Sequence, residues 1–293
     1  MGNERSIPKP VDIVVQEKGN GFDYRIHALD KKETKQISLW HDVKLFPTNE
    51  ARSMNIVNMI CEIPRCSRKK YEIATNEPGN PIKQDVKKAQ LREFAKGDVY
   101  FNYGCLPRTW EDPDHEHPDA KARGDNDPLD VCEIGLRIMK VAEVVPVKIL
   151  GTLCLIDEGE ADWKLIAISV DDPWALLLND VSDLELKLPG IVSSIREWFR
   201  TYKIPDGKPP NKFALDEKCM DANYAMAVVD ATHDSWKMLV TGSKDEIYSD
   251  EKDEILNRSN KSSKSSHPSS GDTYEIKRNL SYPKLNLTDL SSI

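Results

Sequence analysis

The chain has 293 residues, a formal net charge of −8 and 39% hydrophobic residues, which suits one sizeable domain with a substantial core. Its acidity argues against a general nucleic-acid-binding surface. No run approaches the roughly 18 apolar residues of a membrane span, and the N-terminus shows no hydrophobic leader region.

In chain order, Met1-Gly2-Asn3-Glu4-Arg5-Ser6 meets the minimal N-myristoylation pattern, but no polybasic cluster or nearby Cys adds a second anchor, so no membrane association is expected. Ile13-Val14-Val15 and Ile37-Ser38-Leu39-Trp40 predict short strands. Apolar density rises from Ile56 to Ile63 and stops at Pro64. Val144 to Ile156 and Trp163 to Val170 are rich in β-branched residues and read as strands. Closely spaced strands without intervening helices predict an antiparallel sheet or a small barrel. Helices come late. Ile191, Ile195, Trp198, Phe199 and Tyr202 form one apolar face of a helix starting near Pro189. A second helix is expected from Asn223 to Leu239, with Ala225, Val228, Val229, Thr232, Trp236 and Leu239 inward. Beyond Thr241 the composition turns to Ser, Lys and Asn, which predicts a globular domain over 1–245 and a low-complexity tail over 246–293.

Six cysteines are scattered without CxxC spacing, as expected of free thiols in a reducing compartment, with the cytoplasm as the default. Cys132 and Cys154 lie in apolar runs and read as packing residues. Trp198 and Phe199 read as core.

Chemistry concentrates in Gly124-Asp125-Asn126-Asp127-Pro128-Leu129-Asp130-Val131. Two unit charges 4 Å apart repel by about 4 kcal/mol at a protein surface, so a compact trio of carboxylates needs protons or cations. Oxygen-only ligands select hard cations such as Mg²⁺. An EF-hand loop fails, because Leu129, Asp130 and Leu136 occupy its fifth, sixth and twelfth positions. Taken alone, the run leaves a solvated acidic turn open. A second cluster, Asp157-Glu158-Gly159-Glu160-Ala161-Asp162-Trp163-Lys164, places Asp162 and Lys164 on one strand face and Trp163 with Leu165 on the other. Lys70-Tyr71-Glu72-Ile73 repeats that alternation, with Lys70 and Glu72 together. Acid beside lysine on two strands fits metals and an anion that bridges them, although either pair alone could be an ordinary surface ion pair. His115-Glu116-His117 reads as a solvated loop rather than a ligand pair, and His233 as a structural residue.

Together these segments resemble the soluble family I inorganic pyrophosphatases, in particular the animal and fungal type. The resemblance rests on Asp125 to Val131, Asp157 to Lys164, Trp110-Glu111-Asp112-Pro113 and the stretch Trp198 to Pro209. It extends to Glu62-Ile63-Pro64-Arg65, Asn80 to Asp85 and Thr232 to Lys237, and so covers roughly residues 20 to 240 in order. It implies an α+β fold, mostly β, with an antiparallel OB-like barrel flanked by helices and long loops. It implies that Asp125, Asp130 and Asp162 hold an activating metal pair, Asp130 bridging, that Asp157 and Asp162 hold a further metal, and that Glu72 is an additional contact. Asp127 would be the general base, and Lys70, Arg92, Tyr103, Lys164, Tyr202 and Lys203 would grip the two phosphoryl ends. Glu62 would stand on the cavity wall.

The implied activity is hydrolysis of inorganic pyrophosphate with several Mg²⁺ ions per site, Mn²⁺ as a substitute and Ca²⁺ as an inhibitor. The expected assembly is a homodimer. The alternative is a binding or scaffold protein on the same fold with weakened catalysis, and a lesser option is a preference for another short phosphoanhydride such as tripolyphosphate. The pattern departs from the family in two places. Between Arg92 and Tyr103 the loop Glu93 to Asn102 is short, with Val99 or Tyr100 near the place of a second active-site Tyr. Cys66 stands where relatives usually carry a Trp of the dimer contact.

Overall fold

The computed structural model describes residues 11–31 and 35–242. The strands are β1 (Ile13–Lys18), β2 (Arg25–Asp30), β3 (Gln36–Ile37), β4 (Ile56–Ile63), β5 (Tyr71–Ile73), β6 (Ile82–Gln84), β7 (Val86–Lys87), β8 (Gln90–Leu91), β9 (Asn102–Cys105), β10 (Asp130–Glu133), β11 (Val144–Asp157), β12 (Glu160–Ser169) and, between the helices, β13 (Lys212–Phe213). The helices are α1 (Val181–Lys187), α2 (Ile191–Thr201) and α3 (Ala222–Thr241). The residues through Ser235 form one compact unit, and those from Trp236 belong to a second, whose described part is the last stretch of α3. The expected boundary near 245 and the tail beyond it lie outside the described residues. Among the described residues, no helix is long and apolar enough to cross a membrane.

Strands β4, β9, β10, β12 and β11 pair in that order, and β11 closes back on β4, so the sheet is a barrel. Every seam is antiparallel except β10–β12, which is parallel and sets Asp130 beside Lys164. The barrel is antiparallel as expected apart from that one seam. Here the chain travels from β10 to β12 through the long β11 and its hairpin at Glu158-Gly159, so both strands leave in the same direction. Strand β9 approaches β4 closely: a Cβ on Gly104 would lie 1.9 Å from the Ile60 carbonyl oxygen. Only glycine fits there. A smaller sheet, β1–β2–β6–β5 with β3 on β2, and the hairpin β7–β8 lie alongside.

Each face of the barrel sheet carries a core. Val57, Met59, Val131, Cys154, Trp163 and Leu165 pack with Tyr224, Ala225, Val228 and Val229 of α3. Cys132, Leu153, Leu155, Ile166 and Ile168 pack with Leu184 of α1 and with Val192, Ile195, Trp198 and Phe199 of α2. The alternation expected on β12 is therefore realised, but with apolar side chains on both faces, because the barrel buries both. Two expectations need correction, and one helix is added. Leu39 and Trp40 are buried in a turn rather than a strand, since Asp42 accepts the Ser38 amide, Ser38 Oγ accepts the His41 amide and the Trp40 indole donates to the Thr109 carbonyl. Leu239 is 42% exposed. Helix α1, with Asp180 capping its first amide, was not foreseen because its seven residues are too few to show a periodic face.

Candidate active site

The carboxylate wall is built by two interlocked loops. Asn126 donates its amide to the Glu111 carbonyl and Glu111 donates its own to the Asp127 carbonyl, both at 2.9 Å. Gly124 lies against this seam, and a Cβ there would come within 2.3 Å of the Glu111 carbonyl carbon. Asn126 takes a left-handed φ of 72°, which asparagine tolerates, and Asp125 Oδ1 accepts the Asp127 amide at 3.0 Å. Thr109 Oγ1 accepts the Leu129 amide at 3.0 Å, fixing the end of the loop as it enters β10 with Asp130. Lys164, on β12 next to Asp130, is 3% exposed and donates to Asp130, to Asp162 and to the Tyr103 hydroxyl.

Two limbs face this wall with cations. On the first, Lys70 pairs with Glu72 at 2.6 Å and with Asp85 at 3.4 Å, and Arg92 pairs with Asp85 at 2.7 Å. Backbone bonds from Lys70 to Arg92, Arg92 to Asp85 and Asp85 to Lys70 hold these three residues together. On the second, just beyond α2, the Tyr202 hydroxyl donates to Asp157 at 2.9 Å and Lys203 pairs with the same carboxylate at 2.7 Å. Wall and limbs enclose a cavity of about 150 Å³ lined by Lys70, Arg92, Tyr103, Asp125, Asp127, Asp130, Asp157, Asp162, Lys164, Tyr202 and Lys203.

The wall and the limbs differ electrostatically. Burial, then the neighbouring Asp130, pushes Asp125 up to about 7; burial, Asp130 and Glu72 push Asp127 up to about 7. Burial also raises Asp162, with Lys164 opposing it, and raises Glu111, with Asp125 and Asp162 adding to the rise. Burial alone would lower Lys164, yet Asp130 and Asp162 hold it well above the usual lysine range. Asp157 goes the other way: burial disfavours its charge, but Lys203 and Tyr202 hold it below the usual carboxylate range. One ammonium therefore serves a wall of several carboxylates.

That wall fits divalent cations. Glu111, Asp125 and Asp162 each place one oxygen within 4.8 Å of the others. Glu111 is 3% exposed, and while its Oε1 accepts the Trp163 amide at 3.0 Å, its Oε2 is buried without a hydrogen-bond partner. The donor set is all oxygen, which favours a hard ion.

Glu62 and Glu72 stand apart from the residues lining the cavity. Glu72 reaches it through Lys70, and Glu62 is buried, its Oε1 accepting the Ile73 amide of β5 at 2.7 Å. His117 is not solvated as expected. It is 7% exposed and its ring centroid lies 4.8 Å from that of Trp163, because Nδ1 accepts the amides of Asp119 and Ala120 and so draws the ring inward. In the short loop, Val99 lines the cavity, whereas the Tyr100 hydroxyl is buried elsewhere without a hydrogen-bond partner. Arg92 and Tyr103 still face the same cavity across that loop. Sequence reasoning missed two residues. Glu111 and Asp85 both sat inside quoted motifs, and the acid of Trp110-Glu111-Asp112-Pro113 and that ending Asn80 to Asp85 were the available signals.

The family model described as inorganic pyrophosphatase matches residues 59–237. An inorganic pyrophosphatase of Candida albicans is 47% identical over 227 residues, which is 76% of this chain and 77% of that protein. The type I inorganic pyrophosphatase of Toxoplasma gondii superimposes with a TM-score of 0.73 at 43% identity, covering 78% of this chain and all (100%) of that one. A truncated Trypanosoma cruzi vacuolar soluble pyrophosphatase, solved in complex with PPi, gives 0.73 at 41% identity over 82% of this chain and 95% of its own. With barrel, carboxylate wall and cation limbs in place, these similarities establish that the chain belongs to the family I inorganic pyrophosphatases of the eukaryotic type.

Proposed function

We propose that the chain hydrolyses inorganic pyrophosphate to two orthophosphates by direct attack of water, with no covalent enzyme intermediate. The observation that carries this reading is one small cavity with a carboxylate wall on one side and cationic limbs on the other. Asp125, Asp130 and Asp162 would hold a pair of Mg²⁺ ions, Asp157 with Asp162 a further one, and Glu72 an outer contact; Mn²⁺ would substitute and Ca²⁺ inhibit. When bound, such ions neutralise substrate charge and lower the pKa of a water toward neutrality.

The chain's own residues supply the remainder. Asp127 accepts the proton of the attacking water at a carboxylate oxygen while the water oxygen bonds to phosphorus and the bridging P–O bond breaks. Lys70 and Arg92 from one limb, and Tyr202 and Lys203 from the other, trade their carboxylate partners for phosphoryl oxygens. Arg92 offers a planar fork that a lysine cannot reproduce. Lys164 and the Tyr103 hydroxyl stabilise the charge that moves onto the leaving phosphate. By resemblance we extend the proposal to a homodimer working in the cytoplasm.

Phosphate release by the purified protein, with Mg²⁺, without it and with Ca²⁺, tests the reading. Fast release that needs Mg²⁺ and fails with Ca²⁺ supports it. Pyrophosphate binding without release under all three conditions would replace it with the binding-protein alternative.

A further inference from the structure

Helix α2 ends at Thr201, and its carbonyls from Trp198 onward lack an intrahelical donor, whereas the Glu197 carbonyl already accepts from Thr201 Oγ1 at 2.7 Å. Outside groups fill that need. Asn211 donates from its amide to the Arg200 carbonyl at 2.8 Å and from Nδ2 to the Phe199 carbonyl at 3.1 Å. Lys96 Nζ donates to the Trp198 carbonyl at 3.3 Å, to the Glu197 carbonyl at 3.2 Å and to Thr201 Oγ1, and lies 5.8 Å from the centroid of the Trp198 ring. A lysine at the negative end of a helix dipole is favourable in charge as well as in hydrogen bonding.

What makes this cap more than a helix end is what lies on either side of it. Lys96 follows Arg92 by four positions, and Tyr202 and Lys203 follow Thr201 directly. Phe94, between Arg92 and Lys96, packs edge-on against Trp198 at 5.0 Å and against Tyr202 at 6.0 Å. The two cation limbs are distant in sequence, yet this short loop joins them at the cavity rim. We infer that Lys96 is a positioning residue for pyrophosphate: by capping α2 from the Arg92 loop it fixes the spacing between Arg92 and the Tyr202–Lys203 pair. A second tie, Lys87 to Asp206 at 3.1 Å, crosses between the same limbs but is an exposed ion pair of small expected value.

The inference rests on the proposed phosphate-gripping roles of Arg92, Tyr202 and Lys203, and the test separates the two. Steady-state kinetics at saturating Mg²⁺, well below each variant's melting temperature, would compare wild type with Lys96→Met, Lys96→Arg and Lys87→Ala. A misplacement of about 1 Å can cost on the order of 10²-fold in rate, so Lys96→Met should raise KM and lower kcat, each by about tenfold. Lys96→Arg should restore both to within about threefold, since arginine also donates to helix-end carbonyls, and Lys87→Ala should change neither by more than about twofold. Wild-type kcat and KM in Lys96→Met, with only a lowered Tm, would overturn the inference, as would equal losses in Lys96→Met and Lys96→Arg. If Lys96→Met does not fold, Thr201→Val removes one acceptor of the same ammonium: a raised KM supports the inference and an unchanged one overturns it. If wild type releases no phosphate, the functional reading fails, and calorimetric titration of pyrophosphate with Ca²⁺ still decides the inference by whether Lys96→Met binds more weakly.

Discussion

The carboxylate wall and the cation limbs occupy one cavity but are built on opposite physical terms. The wall stands on barrel strands and interlocked loops, and its negative charges outnumber the one buried ammonium of Lys164. On the limbs each cation already has a carboxylate partner: Lys70 and Arg92 share Asp85, and Lys203 holds Asp157. The wall therefore lacks a counter-charge, whereas the limbs lack only a reason to exchange partners. A polyanion bearing divalent cations satisfies both at once. On the proposed reading, the wall carries most of the metal and base chemistry, with Asp157 and Glu72 adding contacts from the limbs, and the limb cations carry grip and alignment.

The largest effects should come from the wall. Asp127→Asn keeps a side chain of the same size but removes the proposed proton acceptor, and a positioned general base contributes about 10²–10⁴-fold. Asp130→Ala removes the carboxylate that accepts from both Lys164 and Tyr103, and should abolish most turnover while leaving the barrel folded. Release assays on both variants, with circular dichroism to confirm folding, measure this. Substantial turnover in both would mean that the wall is not the chemical half of the site.

A limb substitution should cost less and change a different parameter. Arg92→Lys keeps the charge and the Asp85 pairing but loses the planar fork, so kcat/KM should drop by about 10- to 100-fold with Mg²⁺ affinity intact. Tyr202→Phe deletes one hydroxyl bonded to Asp157 and should cost roughly one hydrogen bond, about 1 kcal/mol. Equal loss of metal affinity in the limb and wall variants would erase the distinction between them.

The sequence announced the two sides of the site unequally. Asp125 to Asp130 is local, three carboxylates around a proline, so its chemistry could be read from adjacent residues. Asp162 and Lys164 were placed on one face by strand periodicity alone. Glu111 could not be read this way, because its oxygen meets Asp125 and Asp162 only after Gly124 brings two loops into contact. Asp85 was hidden for the same reason, since its partners Lys70 and Arg92 gather around it through backbone pairing between separate segments. Clustered strands made a sheet legible, and its closure into a barrel came from the family resemblance. The parallel seam was not legible, because β10 is four residues long and its direction is set by the connection through β11.

Stability against pH separates the regions without any assay of turnover. In metal-free protein, Asp125 and Asp127 stand near 7 against 3.8 for ordinary aspartate, so the folded state binds their protons more tightly than the unfolded chain does. Their contribution is fully present below about 3.8 and is lost as the pH rises through about 7. Metal-free Tm should therefore decline from pH 5 to pH 8 by a margin that saturating Mg²⁺ removes, since an ion bound only by the folded state stabilises it. Asp125→Asn should flatten the decline and blunt the response to Mg²⁺. A wild-type Tm that is flat over this range, with or without Mg²⁺, would mean that the wall has no charge left to compensate.

The smallest expected effect lies behind the wall, at His117. Burial, reinforced by His115 and Lys121 and opposed by Asp119, lowers its pKa to about 4. The neutral ring is the form that fits, because Nδ1 accepts two backbone amides and cannot do so once protonated. Here the folded state binds the proton less tightly than the unfolded chain, so the contribution is present above about 6.5 and is lost as the pH falls toward 4. This slope opposes that of the wall carboxylates over the same range. His117→Asn retains an oxygen acceptor but cannot titrate, and loses the contact with Trp163. Its Tm should lie below wild type at pH 7, and the gap should close as the pH approaches 4. A gap that stays constant would show that the ring behind the wall titrates as it does in water, and that the rigidity of the wall ends at the loops.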